Sequence, residues 1–426
     1  MSVYDTIVIG AGLTGLTAAC RLAQAGQKVL LTALGEGALL LAPGCIDVLG
    51  FQPADSQQPV KDPLAQLDSF LSDNPDHPYR LLGKETLAAG LTAFQELVNR
   101  HGLNFQGDPH HNWHLPTTIG AVHPTCLAPA SMAGGDLQKA AKVLIVGFRE
   151  LRDFYPTLIA DNLNSQSLGV QASALQLDAP PPVAGRVNIT PIQLAHAFED
   201  PLFRRRLVQA VAPHSKGVDK IGFPAVLGLA EHAGVLADLQ KGLGKPVFEI
   251  NTLPPSVPGR RLFEALRDAF LKAGGRLIIG GKILAGRIEN GRVVEIRLET
   301  ASRAKPLRAE NIILATGGIF GGGLQTDASG RVWEPIFGLP LHAEDNRHRW
   351  FTRSFFASTG QPVANYGVMV NARFNPVDEA GQPVAENLFA AGAVLAHSEW
   401  TRGRTGDGLA VTTAYAIAEQ LTRSAQ

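Results

Sequence analysis

The chain has 426 residues, 45% of them apolar and 18% charged, with 38 basic residues balancing 38 acidic ones. That length and apolar fraction predict a globular protein of two domains with ample core, and zero net charge points away from nucleic acid and anionic membrane surfaces. Three cysteines (Cys20, Cys45, Cys126) form no C-x-x-C pair, which excludes an encoded iron–sulfur cluster or structural zinc and predicts a reducing compartment.

The opening stretch, Thr6-Ile-Val-Ile-Gly10-Ala-Gly12-Leu-Thr-Gly15, reads as a short apolar strand ending in glycines spaced G-x-G-x-x-G. A helix follows, with Leu13, Leu16, Cys20 and Ala23 three or four apart, then Gly26 as a stop and a second strand at Val29-Leu-Leu. This is the first strand-helix-strand unit of a dinucleotide-binding fold. Gly10 serves the tight turn, Gly12 the approach of a pyrophosphate, and Gly15 the close packing of helix on strand. A tight packing turn without ligand is the alternative. The acid that usually holds an adenosine ribose near the end of the second strand is missing, since Val29-Leu-Leu-Thr32-Ala33-Leu34 offers only the Thr32 hydroxyl. That weakens NAD and FAD relative to a smaller phosphate-bearing ligand such as FMN.

Downstream, Pro43-Gly44-Cys45 is a turn placed either to touch the cofactor or to serve as an ordinary loop. Residues 53–80, rich in Pro, Gln, Asp and Ser, read as a boundary. An inserted α+β cap domain is expected over 56–245, and a discontinuous Rossmann-like flavin-binding domain over 1–55 plus 246–426. Within the cap, helices are expected at Leu87–Arg100, Asp136–Val143, Pro191–Ala197 and Asp200–Ala212, with a strand at Val143–Phe148. The histidine run His110-His111-x-x-His114 resembles a metal-ligand run but reads as a polar cap loop. Regularity returns with a helix over Arg261–Ala273, a strand Arg276–Ile279, and a hairpin turning at Asn290-Gly291. Arg260 and Arg261 open that helix, where a cation is unfavourable unless it answers an anion. Strand Asn311–Ala315 breaks into Thr316-Gly317-Gly318, and Asn387-Leu-Phe-Ala-Ala-Gly392 repeats the pattern. The loop Gly403-Arg-Thr-Gly-Asp407-Gly408 then opens a last helix over Leu409–Leu421, with Asp407 as N-cap, cofactor contact, or both.

The N-terminal block through Pro43-Gly44-Cys45-Ile-Asp47, Thr252-Leu-Pro-Pro-Ser-Val-Pro-Gly259, Ala315-Thr-Gly-Gly318, Leu388-Phe-Ala-Ala-Gly392 and Thr401-Arg-Gly-Arg404 form an ordered series. Together they resemble the flavoprotein group that includes fumarate reductase flavoprotein subunits, and more closely the B-subunit family of anaerobic glycerol-3-phosphate dehydrogenase. The resemblance implies an FMN-associated subunit, with FAD as the alternative. It also implies two partners, an FAD-bearing catalytic chain and an iron–sulfur, membrane-anchoring chain. The reaction it implies is a quinone-linked dehydrogenase oxidation of sn-glycerol 3-phosphate, at its CH-OH group, to dihydroxyacetone phosphate. The chain itself has no stretch of about 18 apolar residues, so a cytoplasmic chain held peripherally on the inner face of the cell membrane through its partner is expected. Candidate catalytic residues are His397 as base, with Arg402 and Arg404 on the substrate's anion; the alternative is a solvated loop whose arginines pair with Glu399 or Asp407. Candidate cofactor contacts are Gly10, Gly12, Leu13, Gly15, Thr32, Gly44, Thr316, Gly317, Gly392, Asp407 and Gly408. No metal site is expected. A stand-alone flavin oxidoreductase on another small acid, or a non-catalytic chain serving assembly or electron relay, are the competing readings.

Overall fold

A computed structural model describes residues 4–424 and divides the chain into two compact units. The first comprises the residues up to Ala38, Asp47–His101, and those from Phe263 onward; the second comprises Leu39–Ile46 and Gly102–Leu262.

The first unit begins as the glycine pattern requires. Strand β1 (Tyr4–Ile9) runs into helix α1 (Leu13–Gln24), and β2 (Val29–Ala33) returns parallel to β1 with Thr6 opposite Val29. Both strands are almost wholly buried, the mark of a sheet covered on both faces. Parallel pairing continues on each side, giving the order Arg276–Ile279, β2, β1, Ala309–Leu314, Leu388–Ala390. All five strands point the same way, so their carboxyl ends form one edge. The hairpin forms as expected, with Asn290 (φ 50°) and Gly291 (φ 70°) both left-handed as a two-residue turn of this kind demands. The last helix spans Gly406–Arg423 and packs against α1, where Arg21 pairs with Glu419 and its guanidinium lies 4.7 Å over the Tyr415 ring.

Two helices depart from the expected division. Helix α2 (Pro63–Asp73) arises inside the stretch read as a boundary, and α3 (Tyr79–Arg100) extends the expected Leu87–Arg100 helix back across a break at Gly83. Both belong to the first unit, because α3 packs on the last helix: Gly90 leaves its face flat against Thr412 and Tyr415.

The second unit contains a four-stranded sheet in the order Val247–Ile250, Lys220–Pro224, Ala141–Phe148, Val170–Leu177, every pair parallel. The α+β expectation therefore holds only for its two small antiparallel pairs, and the main sheet is α/β. Its centre, Val143–Phe148, is buried throughout, within a core that includes Phe198, Phe203, Phe223 and Phe248. The helix expected at Asp136–Val143 is absent. Residues from Ala141 already belong to the central strand, and the chain before it makes a short turn of helix at Ala130–Ala133 instead.

Candidate functional site

The three glycines of the first turn have three different reasons to be glycine. Gly10 takes φ +117°, and a Cβ there would lie 2.1 Å from the Ala315 carbonyl oxygen on the neighbouring strand. At Gly15 a Cβ would lie 1.8 Å from the Gly10 carbonyl oxygen, so only a bare backbone lets α1 pack on the turn. Gly12 is different: its backbone is extended, and a Cβ would meet nothing within 4 Å. It faces open space. Gly12 is also the N-cap of α1, with no side-chain cap and no acid in the first turn, which begins at the buried Leu13. The leading amides of that helix are left to a ligand or water, a donor set that fits a phosphate.

Two further glycine segments reach the same edge. Beside Gly10, the strand Ala309–Leu314 ends in Ala315-Thr316-Gly317, where Gly317 takes φ +78° and the Thr316 Oγ1 is buried with no hydrogen-bond partner. From the strand Leu388–Ala390 the chain arrives at Gly392 (φ +72°), whose Cβ would lie 2.2 Å from Thr14 Oγ1 in the first turn of α1. The Gly392 amide donates to Thr413 Oγ1 at 3.0 Å, tying this segment to the last helix. Thr32, by contrast, donates its buried hydroxyl to the Gly281 carbonyl at 3.0 Å, so its proton is already committed within the fold.

The carboxy-terminal loop holds the candidate catalytic residues. His397 sits at φ +57° and Arg404 at φ +51°, left-handed conformations uncommon outside glycine. The His397 amide donates to the Asn365 carbonyl at 2.9 Å, and its ring lies 4.1 Å from that of His342. Burial first, and then His342, holds its pKa below the usual value, with Asp76 pulling the other way. Next to it His77, 3% exposed, is pushed down to about 3 by burial and by His397. Its Nδ1 accepts the Tyr79 amide at 3.1 Å, while its Nε2 is buried without a partner. Sequence reasoning missed His77 and His342, because nothing in their local pattern links two distant single histidines to His397.

No ion pair joins Arg402 or Arg404 to Glu399 or Asp407 among the described residues, although Arg404 is near enough to Asp407 to act on its charge. Glu399 accepts the backbone amides of Thr401 (2.8 Å) and Arg402 (3.2 Å), and Arg404 lies 3.7 Å from Asp47. The Arg402 guanidinium packs by Gly360 with no carboxylate partner among the described residues. Asp407 is the second residue of the last helix, not its cap, which is Thr405. Its carboxyl is pushed well above the usual range by burial and then by Asp47, with Arg404 opposing. Gly408 is required for packing, since a Cβ would lie 2.4 Å from Tyr79 Oη.

Gly44 belongs to the second unit, where its φ of +78° and the close approach of Pro258 (a Cβ would lie 2.6 Å from the proline's) demand glycine. The anion that Arg261 answers is internal: Glu249, fully buried, accepts from both terminal guanidinium nitrogens at 2.8 and 3.0 Å. In the turn that leads into the helix His232–Leu243, Glu199 likewise accepts the amides of Leu229, Ala230 and Glu231 at 2.7, 2.7 and 3.2 Å. Among the described residues no group of His, Cys, Asp or Glu is placed to hold a metal, and no helix is long and apolar enough to cross a membrane.

Residues 5–409 match the model of the FAD binding domain family. The chain is 32% identical, over 99% of both chains, to the B subunit of the anaerobic glycerol-3-phosphate dehydrogenase of Pectobacterium atrosepticum. It is 34% identical, over 97% of this chain and 96% of the other, to the probable B subunit of the same enzyme in Halobacterium salinarum. A solved 3-ketosteroid delta1-dehydrogenase from Sterolibacterium denitrificans aligns over the whole of both chains with 13% identity and a TM-score of 0.48.

Proposed function

The chain belongs to the B-subunit family of anaerobic glycerol-3-phosphate dehydrogenase, within the FAD binding domain family, and we propose that it is the flavoprotein subunit of a complex oxidising sn-glycerol 3-phosphate to dihydroxyacetone phosphate, with the electrons passed to a quinone. In this reading it has two partners: an iron–sulfur subunit that holds the complex peripherally on the inner face of the membrane, and an FAD-bearing catalytic subunit. One observation carries the flavin assignment: three glycine segments, at 10–15, 315–317 and 392, meet at the carboxyl edge of one parallel sheet beside an uncapped helix.

A bound flavin supplies the electron acceptor. The chain's own residues hold it and handle the substrate. Gly12 and the amides opening α1 would take its phosphate, and the Thr316 hydroxyl would gain a partner the protein does not provide. His397, neutral because burial and His342 disfavour its charged form, would accept the alcohol proton. Arg402, without a carboxylate of its own, would bind the substrate's phosphate, with Arg404 assisting from its place by Asp47. Between the flavins we favour FMN. The end of β2 has no acid, and Thr32 is wholly buried with its hydroxyl hydrogen-bonded to the Gly281 carbonyl, so the carboxylate contact an adenosine ribose ordinarily finds is missing.

The test is to purify the protein, record its visible spectrum, release the cofactor by heat and weigh it. FMN is expected; FAD overturns that choice, and a colourless protein overturns the flavin reading. Bleaching by glycerol 3-phosphate in this chain alone places the oxidation here. Bleaching only with the catalytic partner present makes the chain an electron relay.

A further inference from the structure

Residues 346–377 contain four arginines and one histidine but no lysine, aspartate or glutamate, in a chain of 38 basic and 38 acidic residues; Arg349 pairs with Glu344 at 3.6 Å, while Arg353 is exposed with no ion pair among the described residues. In the same stretch three phenylalanines face solvent: Phe351 is 62% exposed, Phe355 82% and Phe356 90%. Together they expose on the order of 450 Å² of apolar ring surface, the size of the largest apolar patch on a typical monomer, which is often functional.

The turn that carries them is ordered. Gln361 accepts the Thr352 amide at 2.9 Å and donates to the carbonyls of Ser354 and Phe355, both at 3.0 Å. The Thr352 hydroxyl donates to the Ser354 carbonyl at 2.8 Å. Beneath them Trp350 is buried against Tyr366 and donates its indole N–H to the Glu344 carbonyl at 2.8 Å. The rings of Phe355 and Phe356 meet edge to face at 5.0 Å. A hydrogen-bonded frame thus holds aromatic rings outward, the preorganisation that lowers the entropy lost on association.

We propose that this turn is the docking edge for the FAD-bearing catalytic partner, whose facing surface is an apolar groove rimmed by carboxylates. The inference rests on the reading of the chain as one member of a multi-subunit complex. The chemistry favours a protein over a membrane. Arginine with aromatic rings, without lysine or acids, is the composition of interface centres, and the planar guanidinium of Arg353 matches a carboxylate in two-point contact. Membrane interfaces enrich tryptophan and tyrosine at headgroup depth, whereas Trp350 and Tyr366 of this segment are buried and its solvent-facing rings are phenylalanines. The far end of the turn, at Gly360, packs against the side chain of Arg402, so a docked partner would also fix that arginine.

The full chain is co-expressed with the FAD-bearing catalytic partner in three forms: wild type, the double variant Phe355→Ser/Phe356→Ser, and Arg353→Glu. Pairing is read by size-exclusion and titration, and folding by bound flavin and thermal midpoint. The double variant is expected to keep its flavin and lose affinity at least 30-fold; Arg353→Glu is expected to lose it about fivefold, and it stands alone as the test if the double variant fails to fold. Pairing within twofold of wild type in the folded variants overturns the proposal. Flotation with vesicles of phosphatidylglycerol and phosphatidylcholine that the variants lose, while pairing with the catalytic partner persists, overturns it in favour of a lipid surface. A wild-type chain that does not pair at all overturns the reading of the chain as part of a complex, and this inference with it.

Discussion

His397 is held in a left-handed backbone with its ring against His342, and both features bear on what it can do. A histidine pKa below the ordinary 6.5 means that the ring stays neutral, and able to accept a proton, until the pH drops beneath that value. Activity of the assembled complex should therefore hold through pH 6.5 on the way down and fail only at lower pH. His397→Gln should lower kcat by about 10²–10⁴ and remove that acidic limb, read from steady-state rates across pH. A variant that keeps the limb would assign the proton to another group. Glu249 makes a stability prediction of the same kind. Burial alone would raise its pKa, but Arg261, His232 and the hydrogen bonds outweigh it and hold the carboxyl at about 2. A folded value beneath the ordinary 4.5 contributes stability that is fully present above 4.5 and lost as pH falls from there towards 2. Glu249→Gln leaves Arg261 buried without a counter-charge. At pH 7 it should destabilise the protein by about 3–5 kcal/mol, with the gap to wild type closing in that acidic window, as measured by urea denaturation.

The turn between β1 and α1 separates packing from ligand binding within one element. Gly15→Ala forces a Cβ into the Gly10 carbonyl and should destabilise the fold by about 1–3 kcal/mol or more. Gly12→Ala meets no protein atom and keeps an ordinary extended backbone, so its thermal midpoint should stay within a degree or two while flavin content falls about tenfold or more. Absorbance and melting of the two variants side by side check this, and a Gly12→Ala protein that keeps its flavin would remove the phosphate from this turn. Elements with strong periodicity are legible in advance: α1, the Asn290-Gly291 hairpin, and the strand Arg276–Ile279 all lie where the residues predict. Helix α2 is not, although Asp62 caps it and Pro63 opens it, because a Pro-, Gln- and Ser-rich composition suggests a linker. The strand Val170–Leu177 escapes sequence reading for a physical reason. It is an edge strand with most side chains exposed or half-exposed, and its apolar alternation slips by one residue at Ala174-Leu175.

At the scale of the whole molecule, balanced charge makes the arginine-rich turn a local feature in place of a general field. Raising salt from about 0.05 to 0.5 M should weaken pairing with the catalytic partner several-fold without abolishing it, since the apolar rings are not screened; sizing at the two concentrations checks this. The sequence by itself determined the nucleotide-binding grammar: glycine spacing, strand-glycine repeats and a glycine loop before the last helix are local patterns whose backbone demands hold in any tertiary setting. It also pointed to His397, Arg402 and Arg404, though without their partners. Tertiary structure alone decided that Gly10 faces Ala315 and Gly392 faces Thr14, that the Thr32 hydroxyl is hydrogen-bonded to the Gly281 carbonyl, that Arg261 answers Glu249, and that His77 and His342 flank His397. These are contacts between residues far apart in the chain, fixed by strand order and helix packing, and local spacing carries no information about them.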